Sequence, residues 1–140
     1  MSIKIFYDDV NFRIRNWRKI KVLIEKVIAE EGKIPGDLNF ILTNDKILKE
    51  INIEFLQHYY CTDVISFNHE KKGLIAGEIY ISIETVKVNA KNYKVSYNNE
   101  LLRVFLHGLL HLCEYDDQTE AEKRNMRKLE DSWLEEFKRF

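Results

Sequence analysis

The chain has 140 residues, of which 45% are hydrophobic and 32% are charged, enough apolar material for one hydrophobic core but not for two. Its 22 basic and 23 acidic residues nearly balance, which excludes the strongly basic surface of a protein that coats nucleic acid without specificity. Five glycines, one proline and no biased tract exclude a collagen-like or largely disordered chain. With two cysteines and no apolar run of membrane length, we expect reduced thiols in a cytoplasmic protein that has no membrane span.

Hydrophobic periodicity predicts nine elements of secondary structure. A period of two indicates strands, spacings of three and four indicate helices, and Thr119 with Glu122 forms a capping box. The polar segment 68–77 is typical of a long hairpin loop. In chain order the prediction is a strand at 3–7, a helix at 12–30, a strand at 37–42, a helix capped by Thr43 or Asn44 and running to about Leu56, strands at 64–67 and 78–83, and helices at 83–93, 99–113 and 119–137. We therefore expect one α+β domain over residues 1–140, with a mixed four-stranded sheet packed against about five helices.

The predicted helix at 99–113 is apolar almost all the way round, so we expect it to be buried at the centre of the fold. It carries His107 and His111, which are one turn apart and project from the same face. Two imidazoles in this register can hold one metal ion. The alternative is that both are core histidines, in which case each buried ring needs a hydrogen-bond partner.

A third ligand for this ion has to come from beyond the helix. Asp117 lies six residues after His111, a spacing at which a chain reversal brings a ligand back, although the spacing does not exclude Asp116 or Glu114. Cys113 lies on another side of the helix and is better interpreted as a packed thiol. Three protein ligands leave one position open, which is the arrangement of catalytic rather than structural zinc sites.

The residue after the first histidine separates two hydrolase classes. Zinc peptidases place a glutamate there as general base, and this chain has Gly108, which has no side chain to move a proton. The motif therefore favours phosphodiester hydrolysis over peptide hydrolysis.

Several segments resemble one known family. The stretch from His107 to Asp117, HGLLHLCEYDD, resembles the motif HGxLHLxGYDH of the YbeY family of bacterial rRNA maturation factors. Further matches, in the same order, are Ile51-Asn52 with Phe55, the segment 62–67 (TDVISF), the segment 77–82 (GEIYIS), Glu100 before the histidines, and Met126 with Glu130 after them. The resemblance covers about residues 37–134.

The resemblance implies a single-strand-specific metallo-endoribonuclease that acts in 16S rRNA 3′-end maturation and ribosome quality control. Its metal, one zinc-like ion per chain, would be held by His107, His111 and Asp117, the last in the place of the family's third histidine. The carboxylate also admits harder divalent ions. The implied partners are single-stranded RNA, such as the 16S precursor, and the small ribosomal subunit or its proteins. The attacking group, a metal-bound water or the RNA 2′-hydroxyl, is left open.

Two further departures from the family pattern concern the surroundings of the metal. Glu114 replaces a glycine, which costs about 1 kcal/mol if the backbone there has a positive φ. Leu56 stands where the family usually has an arginine, and nearby His58 is a candidate to support catalysis in its place. Asp116 is a candidate to orient a histidine, and Ser66 to line the cleft.

Basic residues suggest where RNA would bind. Lys87, Lys91 and Lys94 are predicted to share a helical face, and six basic residues lie between Arg13 and Lys26. The alternative for both groups is an ordinary solvated helix face. Two other functions stay open: a ribosome-binding or RNA-binding assembly factor in which the metal is structural, and, less favoured, a metallopeptidase.

Overall fold

The computed structural model describes residues 2–56, 63–69 and 73–140. These form a single α+β domain with a mixed four-stranded sheet and five α-helices, as the sequence predicts. In chain order the elements are β1 (Ile3–Tyr7), α1 (Trp17–Glu30), β2 (Ile34–Thr43), α2 (Asp45–Ile51), a short π-helical segment (Asn52–Leu56), β3 (Val64–Asn68), β4 (Leu74–Ser82), α3 (Ile83–Asn92), α4 (Tyr97–Leu112) and α5 (Glu120–Lys138). None of the helices in these ranges has the length and apolar character needed to cross a membrane.

The sheet has the strand order β1-β2-β4-β3. β2 pairs in parallel with both β1 and β4, and β3 pairs antiparallel with β4. Alternate residues of the central strands point to one face, where Phe40, Leu42, Ile79 and Ile81 are fully buried. Helices α1 and α4 contribute the other side of this core, so the sheet serves as the platform on which α4 is held.

Several predicted boundaries were wrong: β2, for example, begins at Ile34 instead of Asp37, and three others differ more in kind. Helix α1 begins at Trp17 instead of Phe12, because Asn16 has a left-handed backbone (φ 62°) that a helix cannot contain. β4 begins at Leu74, so much of the predicted loop at 68–77 is strand. The helix predicted to run to Leu56 is α-helical only to Ile51 and continues as the π-helical segment. Asn44, one of the two predicted caps, accepts a hydrogen bond from the backbone N–H of Ile47.

Helix α4 lies at the centre of the fold, against β3 and β4 on one side and α3 and α5 on the other. Gly108 is the point of closest approach to the sheet: a Cβ there would lie 2.7 Å from Ile79 Cγ2 and 3.1 Å from Val64 Cγ2. A side chain at this position would push the helix off the sheet. Gly108 therefore sets the depth of the helix that carries His107 and His111.

Helix α5 begins with the predicted capping box, in which Thr119 and Glu122 exchange hydrogen bonds. Its buried face, which includes Met126, Glu130 and Leu134, packs against α4. This packing places a carboxylate, that of Glu130, beside the histidine-bearing face of α4.

Candidate metal centre

His107 and His111 face each other across one turn of α4. Their Nε2 atoms are 3.0 Å apart, and their rings are nearly perpendicular, at 81°. Each ring is partly buried, with about a quarter of its side-chain surface exposed. The pair is thus held at the surface of the core with one open side.

The end of α4 returns the chain towards these rings. The backbone N–H of Glu114 donates to the carbonyl of His111, and that of Tyr115 donates to the carbonyl of Leu110, the two bonds of a Schellman motif. Glu114 occupies the left-handed position of this motif with φ 76°. The Tyr115 hydroxyl then donates to Glu31, the residue that follows α1, and ties the returning segment to the body of the domain.

This reversal brings Asp117 to the histidine pair. Its Oδ2 atom lies 3.2 Å from Nε2 of His107 and 3.6 Å from Nε2 of His111. Among the described residues, these three form the group of potential metal ligands, with ligand atoms within 4.8 Å of one another. Asp116 and Glu114, the two rivals that spacing left open, are exposed and outside this group.

The other ring nitrogens fix the orientation of both histidines. Nδ1 of His107 is 2.7 Å from Oε2 of Glu130, and Nδ1 of His111 is 3.1 Å from the carbonyl oxygen of Tyr115. Because a carbonyl and a carboxylate only accept, each Nδ1 carries the proton, and in neutral imidazoles both Nε2 atoms present lone pairs. Two lone pairs and a carboxylate oxygen therefore converge on one point, where they could hold a cation.

The spacing of the three atoms fits a tetrahedral ion. Ligand atoms about 2.1 Å from one ion in that geometry lie about 3.4 Å from each other. The three separations here are 3.0, 3.2 and 3.6 Å. This group could therefore bind a metal ion and leave a fourth position open.

A buried network of charged side chains contacts His107 through its Nδ1 atom. Glu130 is 4% exposed and accepts hydrogen bonds from His107 and, through its other oxygen, from Nη1 of Arg103 at 3.0 Å. Nη2 of Arg103 binds Asp131 on the surface. Burial lowers the pKa of His107, but the hydrogen bond and charge of Glu130, with the charges of Asp117 and Asp63, outweigh it and raise the pKa overall.

A polar cavity of about 290 Å³ opens beside His107 and Asp117. It lies between α3, α4 and α5, and Asp63, Glu100, Arg103 and Arg127 are among its lining residues. Cys113 is buried elsewhere, and burial raises the pKa of its thiol to about 12, in agreement with a packed thiol instead of a ligand.

The other predicted site residues that the structure describes are not part of the ligand group. The Ser66 hydroxyl donates to the carbonyl oxygen of Gly108, and His58 and the side chain of Leu56 lie outside the described residues. Lys87 and Lys91 are exposed on α3. Each lies two residues from Asn89, which lines the cavity, and two residues correspond to about 200° of rotation around a helix, so both lysines point away from the cavity. Lys94 follows the end of α3 with φ 58°, so the prediction that all three share a helical face was wrong.

The chain is similar to proteins of one known family. The model of the family described as endoribonuclease YbeY matches residues 5–138. The endoribonuclease YbeY of Flavobacterium psychrophilum is 42% identical over 132 residues, which cover 94% of each chain. That of Amoebophilus asiaticus is 41% identical over 134 residues, covering 95% of this chain and 91% of the relative. This chain belongs to the YbeY endoribonuclease family.

A solved structure shows the same fold. The solution structure of TM1509 from Thermotoga maritima superimposes with a TM-score of 0.67 at 27% identity, covering 97% of this chain and 89% of that one. Glu114, the departure from the YbeY motif that sequence reasoning considered costly if φ is positive, has the glycine-type backbone conformation with φ 76°.

Sequence reasoning missed the network behind His107. Glu130 and Asp63 matched the family pattern without a role, and Arg103 was not considered. Arg103 lies four residues before His107, so its place on the same helix face was a usable signal. Glu130 and Asp63 come from other elements, and their proximity depends on how those elements pack against α4.

Proposed function

We propose that this YbeY-family endoribonuclease is metal-dependent and specific for single-stranded RNA, and that it acts in the cytoplasm in 16S rRNA 3′-end maturation and ribosome quality control. The observation that carries metal dependence is the convergence of Nε2 of His107, Nε2 of His111 and Oδ2 of Asp117. The proposed partners are the 16S precursor and the small ribosomal subunit or its proteins, as the family resemblance implies.

Zinc is the proposed metal. Two imidazole nitrogens and one carboxylate oxygen with an open fourth position are a donor set of catalytic zinc enzymes. The carboxylate also admits other divalent ions, so the test below includes manganese. When bound, such an ion supplies Lewis acidity towards a phosphoryl oxygen and makes a water molecule more acidic.

The protein's own residues hold and orient this centre. Glu130 and the Tyr115 carbonyl keep the protons of the two histidines on Nδ1, so that both Nε2 atoms stay available as ligands. Arg127 and Lys123 line the adjacent cavity and offer positive charge to RNA phosphates. Three of the six basic residues of 13–26 are less available, because Lys26 pairs with Glu136, Lys19 lies over the Phe137 ring, and Arg13 lies over Tyr7.

The substitution His111→Ala tests the proposal. It removes one ligand atom, so we expect metal content to fall and RNA cleavage to fall by more than about 100-fold, since loss of even a residue behind a ligand costs about 10- to 100-fold. Metal is measured by elemental analysis after dialysis against zinc or manganese, and cleavage on matched single-stranded and duplex RNA. His69→Ala is the matched control, because His69 is exposed and pairs with Glu78 outside the centre.

Three results would contradict the proposal. Unchanged metal stoichiometry in folded His111→Ala would refute the ligand assignment. Cleavage that survives complete chelation would refute metal dependence, and equal cleavage of duplex RNA would refute the preference for single strands. Circular dichroism establishes that the variant is folded.

A further inference from the structure

The cavity between α3, α4 and α5, beside the candidate metal centre, is lined by charged groups that metal binding does not explain. Its volume of about 290 Å³ is at the small end of ligand pockets, enough for one nucleotide-sized group. It continues from His107 and Asp117 along α4 towards the start of that helix, where Glu100 lines it.

Glu100 is a buried acidic residue in the first turn of α4. It is 4% exposed, and no residue in the ranges 2–56, 63–69 and 73–140 donates to its carboxylate. Buried polar side chains are almost always hydrogen-bonded, so a carboxylate that opens into a cavity and has no donor from the described residues is available to accept a hydrogen bond from a ligand. An acid that merely favoured the helix N-terminus would have no reason to be buried.

A second carboxylate strengthens this acceptor character. Asp63, immediately before β3, lines the same cavity and accepts a long hydrogen bond of 3.3 Å from Asn89 on α3. Burial, helped by the neighbouring charge of Asp63, raises the pKa of Glu100, and burial also raises that of Asp63. The cavity thus holds two acceptors whose charges are poorly compensated.

The rim of the cavity has the groups that a nucleotide needs. Tyr93 is 57% exposed and offers an aromatic face for stacking, and Lys123 and Arg127 offer positive charge for a phosphate. Glu100 precedes His107 by two helical turns, about 10 Å along the axis. That is too far to ligate the same ion but within reach of the nucleotide that adjoins a phosphodiester at the metal centre.

We propose that this cavity recognises the base of the nucleotide next to the cleaved bond, and that Glu100 accepts a hydrogen bond from an exocyclic amino group of that base. The inference rests on the proposed function and specifies its substrate. Cytosine, adenine and guanine carry such a group, whereas uracil presents carbonyl oxygens in its place, which a carboxylate repels. The enzyme then disfavours uracil at one position beside the cleavage site.

The test uses single-stranded hexamers of uridine in which one position at a time is changed to A, C or G. We expect kcat/KM to rise about tenfold for an amino-bearing base at one position next to the cut, the lower range of discrimination by a good base contact. In Glu100→Gln this preference falls to about threefold or less, because the amide also presents a donor to the base. Glu25→Gln, the same change at an exposed position of α1, keeps the preference.

Direct binding separates this inference from the proposed function. CMP and UMP are titrated by calorimetry into wild type and Glu100→Gln, and tighter binding of CMP by wild type alone supports the subsite whether or not RNA is cleaved. Cleavage of RNA without any base preference, or a preference that Glu100→Gln retains, overturns the subsite and leaves the endoribonuclease proposal intact. If no hexamer is cleaved, the proposed function fails and the titration alone decides on the subsite.

Two further outcomes are decisive. If Glu100→Gln loses one of two bound zinc ions and keeps its base preference, the carboxylate is a metal ligand and the inference is overturned. If Glu100→Gln does not fold, Asn89→Ala takes its place, because Asn89 lines the cavity and contacts Asp63. We expect Asn89→Ala to reduce the base preference severalfold, and an unchanged preference overturns the inference.

Discussion

The two ends of α4 face the same cavity but leave different kinds of group unsatisfied. At the C-terminal end, each Nδ1 of His107 and His111 has an acceptor, so both Nε2 lone pairs converge with the carboxylate of Asp117. At the N-terminal end, Glu100 is more deeply buried, at 4% exposed, and no described residue donates a hydrogen bond to its carboxylate. Three convergent acceptors call for a cation, whereas a single carboxylate in a wider space calls for an N–H donor.

Arg103 lies between these two ends and compensates part of their negative charge. Its guanidinium contacts Glu130 and Asp131, and its charge also lowers the pKa of Glu100 against the larger effect of burial. The charge balance at both ends of α4 therefore depends on the Arg103 guanidinium. Substitutions of Arg103 and of its partner Glu130 test whether the two ends of α4 act independently.

The largest effect is expected from Arg103→Met. It leaves the Glu130 carboxylate buried without its ionic partner, and breaking a buried ion pair costs about 3 kcal/mol of folding free energy. Urea unfolding followed by circular dichroism measures the loss. Arg127→Met, an exposed arginine on the same cavity, is the control and should cost less than about 0.5 kcal/mol. Equal losses in the two variants would show that Arg103 does not stabilise the buried network.

The substitution Glu130→Gln affects the metal end selectively. The amide no longer provides a charged acceptor for Nδ1 of His107, so we expect metal affinity to fall about 10- to 100-fold. Competition with a chromophoric chelator measures the affinity. Asp131→Asn is the matched control, since it removes the exposed carboxylate bound by the same arginine and does not touch His107. A similar fall in Asp131→Asn would assign the effect to Arg103 instead of to the histidine contact.

These two ends also show what a sequence can predict. His107, His111 and Asp117 lie within eleven residues, so helical spacing and one chain reversal were enough to predict that they converge. Glu130 and Asp63 lie 23 and 44 residues from His107, and only the packing of α5 and of the segment before β3 brings them near it. The four strands and five helices followed from periodicity, but the start of α1 depended on a left-handed Asn16 that periodicity does not show.

A smaller effect is expected where α4 ends. Glu114 holds the left-handed position that Gly32 holds at the end of α1, where the same pair of hydrogen bonds closes the helix. Glu114→Gly should therefore raise the free energy of unfolding by about 1 kcal/mol. Glu114→Ala, which removes the charge but keeps the Cβ, is the control and should gain much less. If Ala and Gly stabilise equally, the cost of Glu114 is electrostatic instead of conformational.

The smallest effect is expected from the lysines beside α3, which tests whether RNA contacts extend beyond the cavity. Lys87 and Lys91 turn away from the cavity and Lys94 lies past the helix end, so an RNA strand would contact them only after leaving the metal centre. If they bind phosphates, replacing all three by Gln reduces the slope of log affinity against log salt by up to about 2, because each contact on a single strand contributes about 0.7. Binding of a metal-free protein to a single-stranded 20-mer at several salt concentrations gives this slope. An unchanged slope would assign these lysines to an ordinary solvated surface and confine RNA recognition to the cavity side of α4.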